Sequence, residues 1–331
     1  MRKISCENSI ERIWGLFLYF ENEPIAKKFL LESYLTLVEE KEANRLAFDN
    51  TQKFIYFLKQ GVSYFKSAQS SELIVRPLLL YYGFTSLMKA MILSKDPYYP
   101  RTTTVLQHGI TTRKRKKSNY VFHEDEIKVQ KNGLLPHFAE VVLQSPLEIH
   151  SKYKMIDLIS MLPELQDSYE LMFGEKTMHP IFFSKDKNES RLNFNKSNHL
   201  VERLSSLLSE LDLDQSMYNL EESHQLISIV IPEHTNNKHP LLNQIVSDYK
   251  GNSYFYLLQK TVLKDEIIIY NMIMYILGML CRYDTELWGD LLFTFSSSDM
   301  YLIEELLQLS MRKFPNLVLN HLFNEEIIFE T

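Results

Sequence analysis

Apolar residues recur three and four positions apart between Ile10 and Leu58, first as Ile13, Leu16, Phe17 and Phe20, then as Phe29, Leu30, Tyr34, Leu35 and Leu37. That spacing predicts helices with one face turned inward. Glu39 to Glu42 and Arg45 mark a wet face, and Phe54-Ile55-Tyr56-Phe57-Leu58 forms a further apolar segment. Ser70-Ser71-Glu72 reads as a break. Pro77 then suits the first turn of a new helix, where its missing N–H costs nothing. This helix runs to about Leu93 and is apolar almost all round, which predicts burial on most sides. Ser86 and Lys89 are its conspicuous polar positions.

Asp96-Pro97-Tyr98-Tyr99-Pro100 ends that helix in a stiff, extended loop. The stretch from Arg101 to Phe138 is unusual: it holds His108-Gly109, the basic run Arg113-Lys114-Arg115-Lys116-Lys117, and Lys128-Val129-Gln130-Lys131-Asn132-Gly133. A helix through Phe138, Val141, Val142 and Leu143 follows. From about Met178 to Lys260 the texture changes. Ile181-Phe182-Phe183, Leu192-Asn193-Phe194, Leu226 to Ile231 and Tyr254-Phe255-Tyr256 are short, β-branched or aromatic, and read as strands. A helix through Leu200, Leu204, Leu207, Leu208 and Leu211 lies among them. Helical periodicity returns over 264–281, 284–294, 299–311 and 315–325. The expected fold is mainly α, α+β overall. It divides into an N-terminal helical region 1–175, a small α/β insert 176–262, and C-terminal helices 263–331 that pack back on the first region.

Composition narrows the function classes. The 331 residues include only 9 glycines and 11 prolines, too few for a turn-rich sandwich or propeller, and no glycine-rich dinucleotide turn is present. The net charge of −6 makes the chain as a whole no polyanion binder, so a nucleic-acid or nucleotide contact needs a local basic patch. Cys6 and Cys281 form neither a disulfide framework nor a zinc site, which fits a reducing, cytoplasmic setting. Charges arrive too early at the N-terminus for a signal peptide. The most apolar stretch, Ile267 to Cys281, is short for a bilayer and contains Asn271, so it reads as a buried helix and no membrane partner is expected. No cofactor or metal is expected either: His-Glu-x-x-His, paired-Asp and Ser-centred nucleophile motifs are missing.

Several long runs resemble the bacterial YaaC-like family. They are Pro77-Leu78-Leu79-Leu80-Tyr81-Tyr82-Gly83, Asp96 to Pro100, Thr102-Thr103, Val105-Leu106, His108-Gly109 and Thr112 to Lys117. Asp125-Glu126, Lys128, Gln130 to Leu134, and Arg282-Tyr283, Thr285-Glu286 and Trp288 continue the match. The family carries no agreed activity, so the resemblance implies a fold more than a mechanism. A weaker resemblance is to HEPN-type helical domains, carried by Tyr81-Tyr82, His108-Gly109 and Lys131-Asn132-Gly133-Leu134 in that order. It implies a HEPN-like helical bundle and, by analogy only, a homodimer. HEPN ribonucleases use an Arg followed four to six residues later by His. Here Arg101 precedes His108 with six residues between, and Lys131 precedes His137 with five between and Lys in place of Arg.

The candidate chemistry admits more than one reading. Five consecutive cations, Arg113 to Lys117, repel one another unless something offsets them. A phosphate-bearing partner would do so, with Arg forking onto phosphate oxygens, Lys adding point charge, and Thr111, Thr112, Lys128, Lys131, Asn132 and Gly133 close by. Pairing with Glu124, Asp125 and Glu126, or plain solvation, is the alternative. His108 and His137 could serve as general bases with Arg101 or Lys131 as electrostatic partners, or could simply pack at helix ends. Gly109 and Gly133 fit positive-φ turns, or backbone donors to a phosphate. Arg76, Arg282 and Glu286 read as structural or cleft residues, with Arg282 paired to a neighbouring acid or lining a cleft with Glu286. The favoured reading is a binding or regulatory protein whose basic loop docks a nucleotide, an RNA or a protein. A metal-independent ribonuclease in stress or phage defence is the alternative, and an inert scaffold the third.

Overall fold

In the computed structural model, residues 1–112, 120–185, 189–232, 239–258, 263, 265–293 and 298–330 are described. The elements run, in chain order, β1 (Arg2–Ser5), α1 (Ser9–Phe20), α2 (Glu23–Tyr34), α3 (Glu40–Ser70), α4 (Arg76–Lys95), β2 (Ile110–Thr112), β3 (Glu126–Val129), α5 (Leu134–Val141) and β4 (Lys152–Lys154). Then come α6 (Met155–Ile159), α7 (Gln166–Phe173), β5 (Met178–Lys185), β6 (Glu189–Asn195), α8 (Asn198–Glu210), β7 (Asn219–Glu222), β8 (Leu226–Pro232), β9 (Ile245–Ser247) and β10 (Ser253–Tyr256). The chain ends with α9 (Glu266–Tyr283), α10 (Thr285–Phe293), α11 (Asp299–Phe323) and β11 (Ile327–Glu330). The fold is mainly helical with a sheet part. Contacts divide it into two units, Met1–Ile156 with Asp265–Thr331, and Asp157–Lys264.

In the first unit α4 is the axis. Leu80, Phe84, Leu87, Met88, Met91 and Ile92 are all sealed from solvent, as an all-round apolar helix requires. Glycine sets the approach of α3. A Cβ added at Gly61 would stand 2.6 Å from Cδ2 of Leu87, and one at Gly83 would stand 2.9 Å from Cδ2 of Phe65. The two helices therefore meet closer than larger residues would allow. Phe84 stacks on Phe314 of α11 at 3.7 Å between centroids. Two buried polar side chains find backbone acceptors: Tyr34 Oη donates to Leu93 O at 2.7 Å, and Asn50 Nδ2 donates to Pro97 O at 2.7 Å. Asn271, midway along α9, donates through Nδ2 to the Met88 sulfur at 3.2 Å.

Three features depart from the periodicity. The two helices expected over 299–311 and 315–325 are one helix, α11, which passes through Pro315. Proline removes one backbone hydrogen bond. Burial of Phe314, Val318 and Leu319, with the Phe84 stack, holds the helix across that gap. The 101–138 stretch contains strands as well as turns: its β2 and β3 form an antiparallel sheet with β4, in which Ile110, Ile127 and Val129 point inward. Near the chain ends, β1 pairs in parallel with β11, Arg2 opposite Ile327. By length and composition α9 is also long and apolar enough to cross a membrane, contrary to the short-segment expectation, although 78% of that window is buried inside the protein.

The second unit is a six-stranded antiparallel sheet in the order β7-β8-β6-β5-β10-β9. Its α8 lays Leu200, Leu204, Leu207 and Leu208 against Leu192, Phe194, Ile227, Ile229, Ile231 and Phe255. This is period-two alternation meeting a helical stripe.

Candidate functional site

Among the described residues, most of the candidate site residues fall into three clusters, all in the first unit. The first surrounds Asp96, which closes α4. Its carboxylate is buried and takes Arg101 Nε at 3.1 Å and Arg101 Nη2 at 2.9 Å. His137 Nε2 stands 3.3 Å from the other oxygen without the alignment of a hydrogen bond, and its ring lies parallel to that of Tyr99. Burial pushes the Asp96 carboxyl up, but His137, Arg101 and the Tyr98 amide outweigh it and hold the group at about 2. Arg101 and His137, which the ribonuclease reading of the sequence spaced with His108 and Lys131 respectively, thus meet at a carboxylate the sequence did not flag.

The second cluster is the crossing of Gly109 and Gly133. Both have positive φ, +81° and +139°, and a Cβ on Gly133 would lie 2.2 Å from the Gly109 backbone. Close backbone passage requires both glycines. The N-terminus of α5 is already occupied: Leu134 N donates to Gln107 O at 2.6 Å, Leu135 N to His108 O at 3.2 Å and His137 N to Gly133 O at 3.1 Å, while Pro136 has no N–H. What this turn offers a ligand is the exposed side chains of Lys131 and Asn132, beside a hollow also walled by Gln107, His108 and Gln130.

The third cluster is a cleft of about 460 Å³ lined by His108, Thr111, Thr112, Tyr275, Met279, Arg282, Tyr283 and Asp284. The loop after α4 delivers His108, β2 delivers the threonines, and the last turn of α9 delivers Arg282. Tyr81 of α4 lies beneath, its hydroxyl 2.6 Å from His108 Nδ1, with Tyr275 packed against both rings. Burial, then the cations of Arg282 and Lys89, lower the His108 pKa and keep the ring neutral. Burial also lowers Lys89. Arg282 Nη1 donates to Tyr82 Oη at 3.0 Å, and the guanidinium sits 4.3 Å from the Tyr283 ring centroid. Its Nε is buried without a hydrogen-bond partner among the described residues. Among the described residues no carboxylate bonds Arg282, so the acid pairing expected from the sequence is not formed there; its contacts are a phenol, a ring and the Met279 sulfur.

The remaining candidates are placed as follows. Arg113 to Lys117 lie outside the described residues. The residues on either side, Thr112 and Tyr120, both bond Asp125, at 3.3 Å and 2.8 Å. Lys128 is half-exposed on β3, and Arg76 caps the α3–α4 turn by donating to Ala68 O and Ser71 O. Glu286 is exposed on α10; the acid on the cleft wall is Asp284. Among the described residues no group of three His, Cys, Asp or Glu side chains could hold a metal ion. Asp96 and Tyr275 were missed because nothing local marks them: one reads as a helix stop, the other as core.

The fold and these clusters define a mainly helical protein that carries a tyrosine–histidine–arginine cleft. The family model for YaaC-like proteins matches residues 18–322, and the chain belongs to that family. No curated protein and no solved structure matches it.

Proposed function

We propose that this YaaC-like protein is a binding or regulatory protein that docks a phosphate-bearing partner, a nucleotide, an RNA or a nucleotide-linked protein, at the His108–Arg282 cleft. The observation that carries this reading is Arg282. A guanidinium on a cleft wall, bonded to a phenol and an aromatic face rather than a carboxylate, keeps donors for an anion. Thr111 adds a hydroxyl, and the basic run Arg113 to Lys117 follows Thr112 directly in sequence. Lys128 and Lys131 supply further charge on the same β2–β3 region.

The HEPN-like bundle belongs to this proposal too. Its three sequence landmarks touch in succession: Tyr81 meets His108, and Gly109 meets Gly133. A homodimer and a cytoplasmic setting complete the reading. The ribonuclease reading ranks second, because Arg101 spends its fork on Asp96. The test is a salt-titrated binding assay with labelled RNA and labelled ATP, alongside RNA incubation in EDTA. Salt-sensitive binding that Arg282→Gln weakens about tenfold, with RNA intact, supports docking. Cleavage lost in His108→Ala or His137→Ala promotes the ribonuclease instead, and absence of any binding removes the proposal.

A further inference from the structure

We infer that Tyr81 fixes His108 as an Nε2–H donor, so that the cleft meets a ligand's terminal phosphate with a hydrogen bond from His108 beside the guanidinium of Arg282. This deepens the docking reading and rests on it for the identity of the ligand class, a phosphate monoester.

The argument starts at Tyr81. Its ring is buried at 3% exposure, and among the described residues its hydroxyl has one hydrogen-bond partner, His108 Nδ1 at 2.6 Å. A phenol both donates and accepts, whereas neutral imidazole carries its proton on one nitrogen only. Were Nδ1 protonated, it would donate to the phenol oxygen and leave the phenolic proton buried with no acceptor. An orphaned buried donor costs roughly 1–3 kcal/mol. The satisfied arrangement has Tyr81 O–H donating to Nδ1, which places the imidazole proton on Nε2. The surroundings agree: burial raises the Tyr81 pKa far above its ordinary value, so the phenol keeps its proton, and the ring of His108 stays neutral.

Nε2 of His108 has no bonding partner among the described residues, and it is not among the sealed, unpartnered atoms. The ring lines the cleft that also holds Arg282 and Thr111. A proton held on Nε2 gives this wall three donors: an imidazole N–H, a guanidinium and a hydroxyl. Phosphate oxygens accept from all three. The same proton removes His108 as a general base, because its remaining lone pair is taken by Tyr81. Tyr81 is thus a positioning residue for His108, and the arrangement favours binding over cleavage.

The experiment is nitrogen-15 NMR of the full chain labelled at histidine, with the His108 signals assigned from His108→Gln. Long-range proton–nitrogen spectra at neutral pH are expected to show a bare Nδ1 and a protonated Nε2 in the wild type, and a tautomer mixture in Tyr81→Phe. Titration with AMP is expected to move the Nε2 signal, and adenosine to leave it still. His108→Gln, whose amide keeps a donor at a similar reach, is expected to retain AMP affinity within about threefold, and His108→Ala to lose about tenfold. A protonated Nδ1 or a mixture in the wild type overturns the inference, whatever AMP does. A fixed Nε2–H that AMP leaves unmoved overturns the donor role, and absence of AMP and RNA binding then removes the docking reading as well.

Discussion

Asp96 and Arg101 form a two-toothed ion pair across the end of α4, with Nη2 2.9 Å and Nε 3.1 Å from Oδ1. The carboxylate is buried, whereas the guanidinium reaches solvent. Asp96 therefore depends on its partners to stay ionised. Its folded pKa of about 2 lies below the ordinary carboxyl value of 3.8, so its contribution to stability is present above pH 4 and is lost as pH falls toward 2. The expected contribution at neutral pH is about 2 kcal/mol. Urea unfolding at pH 7 and near pH 3 should show a fall that Asp96→Asn abolishes. An unchanged pH dependence in that variant would refute the assignment.

Close passage of α3 and α4 rests on two glycines. The would-be Cβ of Gly83 meets the Phe65 ring at 2.9 Å, and the ring is itself stacked between neighbours. Gly83→Val is expected to lower stability by about 1–3 kcal/mol through overpacking. Gly289, with nothing near its would-be Cβ, serves as the control, and Gly289→Ala should leave the thermal midpoint unharmed.

Asp125 gathers the two sides of the basic segment. Its oxygens accept from Thr112 Oγ1, Tyr120 Oη and the Glu126 amide. Asp125→Ala removes the acceptor that these half-buried donors share and is expected to cost about 2–4 kcal/mol. Hydrogen exchange should speed up first at Ile127 and Val129 of β3. Uniform exchange across the unit would show that Asp125 does not organise this sheet.

Neutralising Arg113, Arg115 and Lys117 to Gln tests the electrostatic half of the docking proposal. If all three contact an RNA backbone, the slope of log affinity against log salt should flatten by about 2, at roughly 0.7 per phosphate contact. Melting temperature should hold if the run is not an internal ion-pair network. A lower melting temperature with an unchanged slope would instead favour pairing within the protein.

Much of the fold was legible because it is periodic. The stripes of α1 and α2 and the all-round apolar α4 announce themselves locally, as do the short β-branched segments that became β5, β6, β8 and β10. The site was legible only in its parts. His108, Arg101, His137 and Arg282 stood out as residue types, but the sequence paired Arg101 with His108, whereas the structure brings Arg101 and His137 to Asp96.

The sequence by itself determined where most helices and the strands β5, β6, β8 and β10 form, which faces turn inward, and that the basic run is an exception in an acidic chain. Those are properties of neighbouring residues, and periodicity of 3.6 or 2 reports them directly. Only the tertiary structure decided that β1 finds β11, that α11 continues through Pro315, and that the end of α9 sets Arg282 beside a histidine delivered by the loop after α4. Each of these joins groups far apart in the chain, or lets burial of neighbouring side chains override a local preference. No local pattern encodes such partners; they are fixed when the core closes.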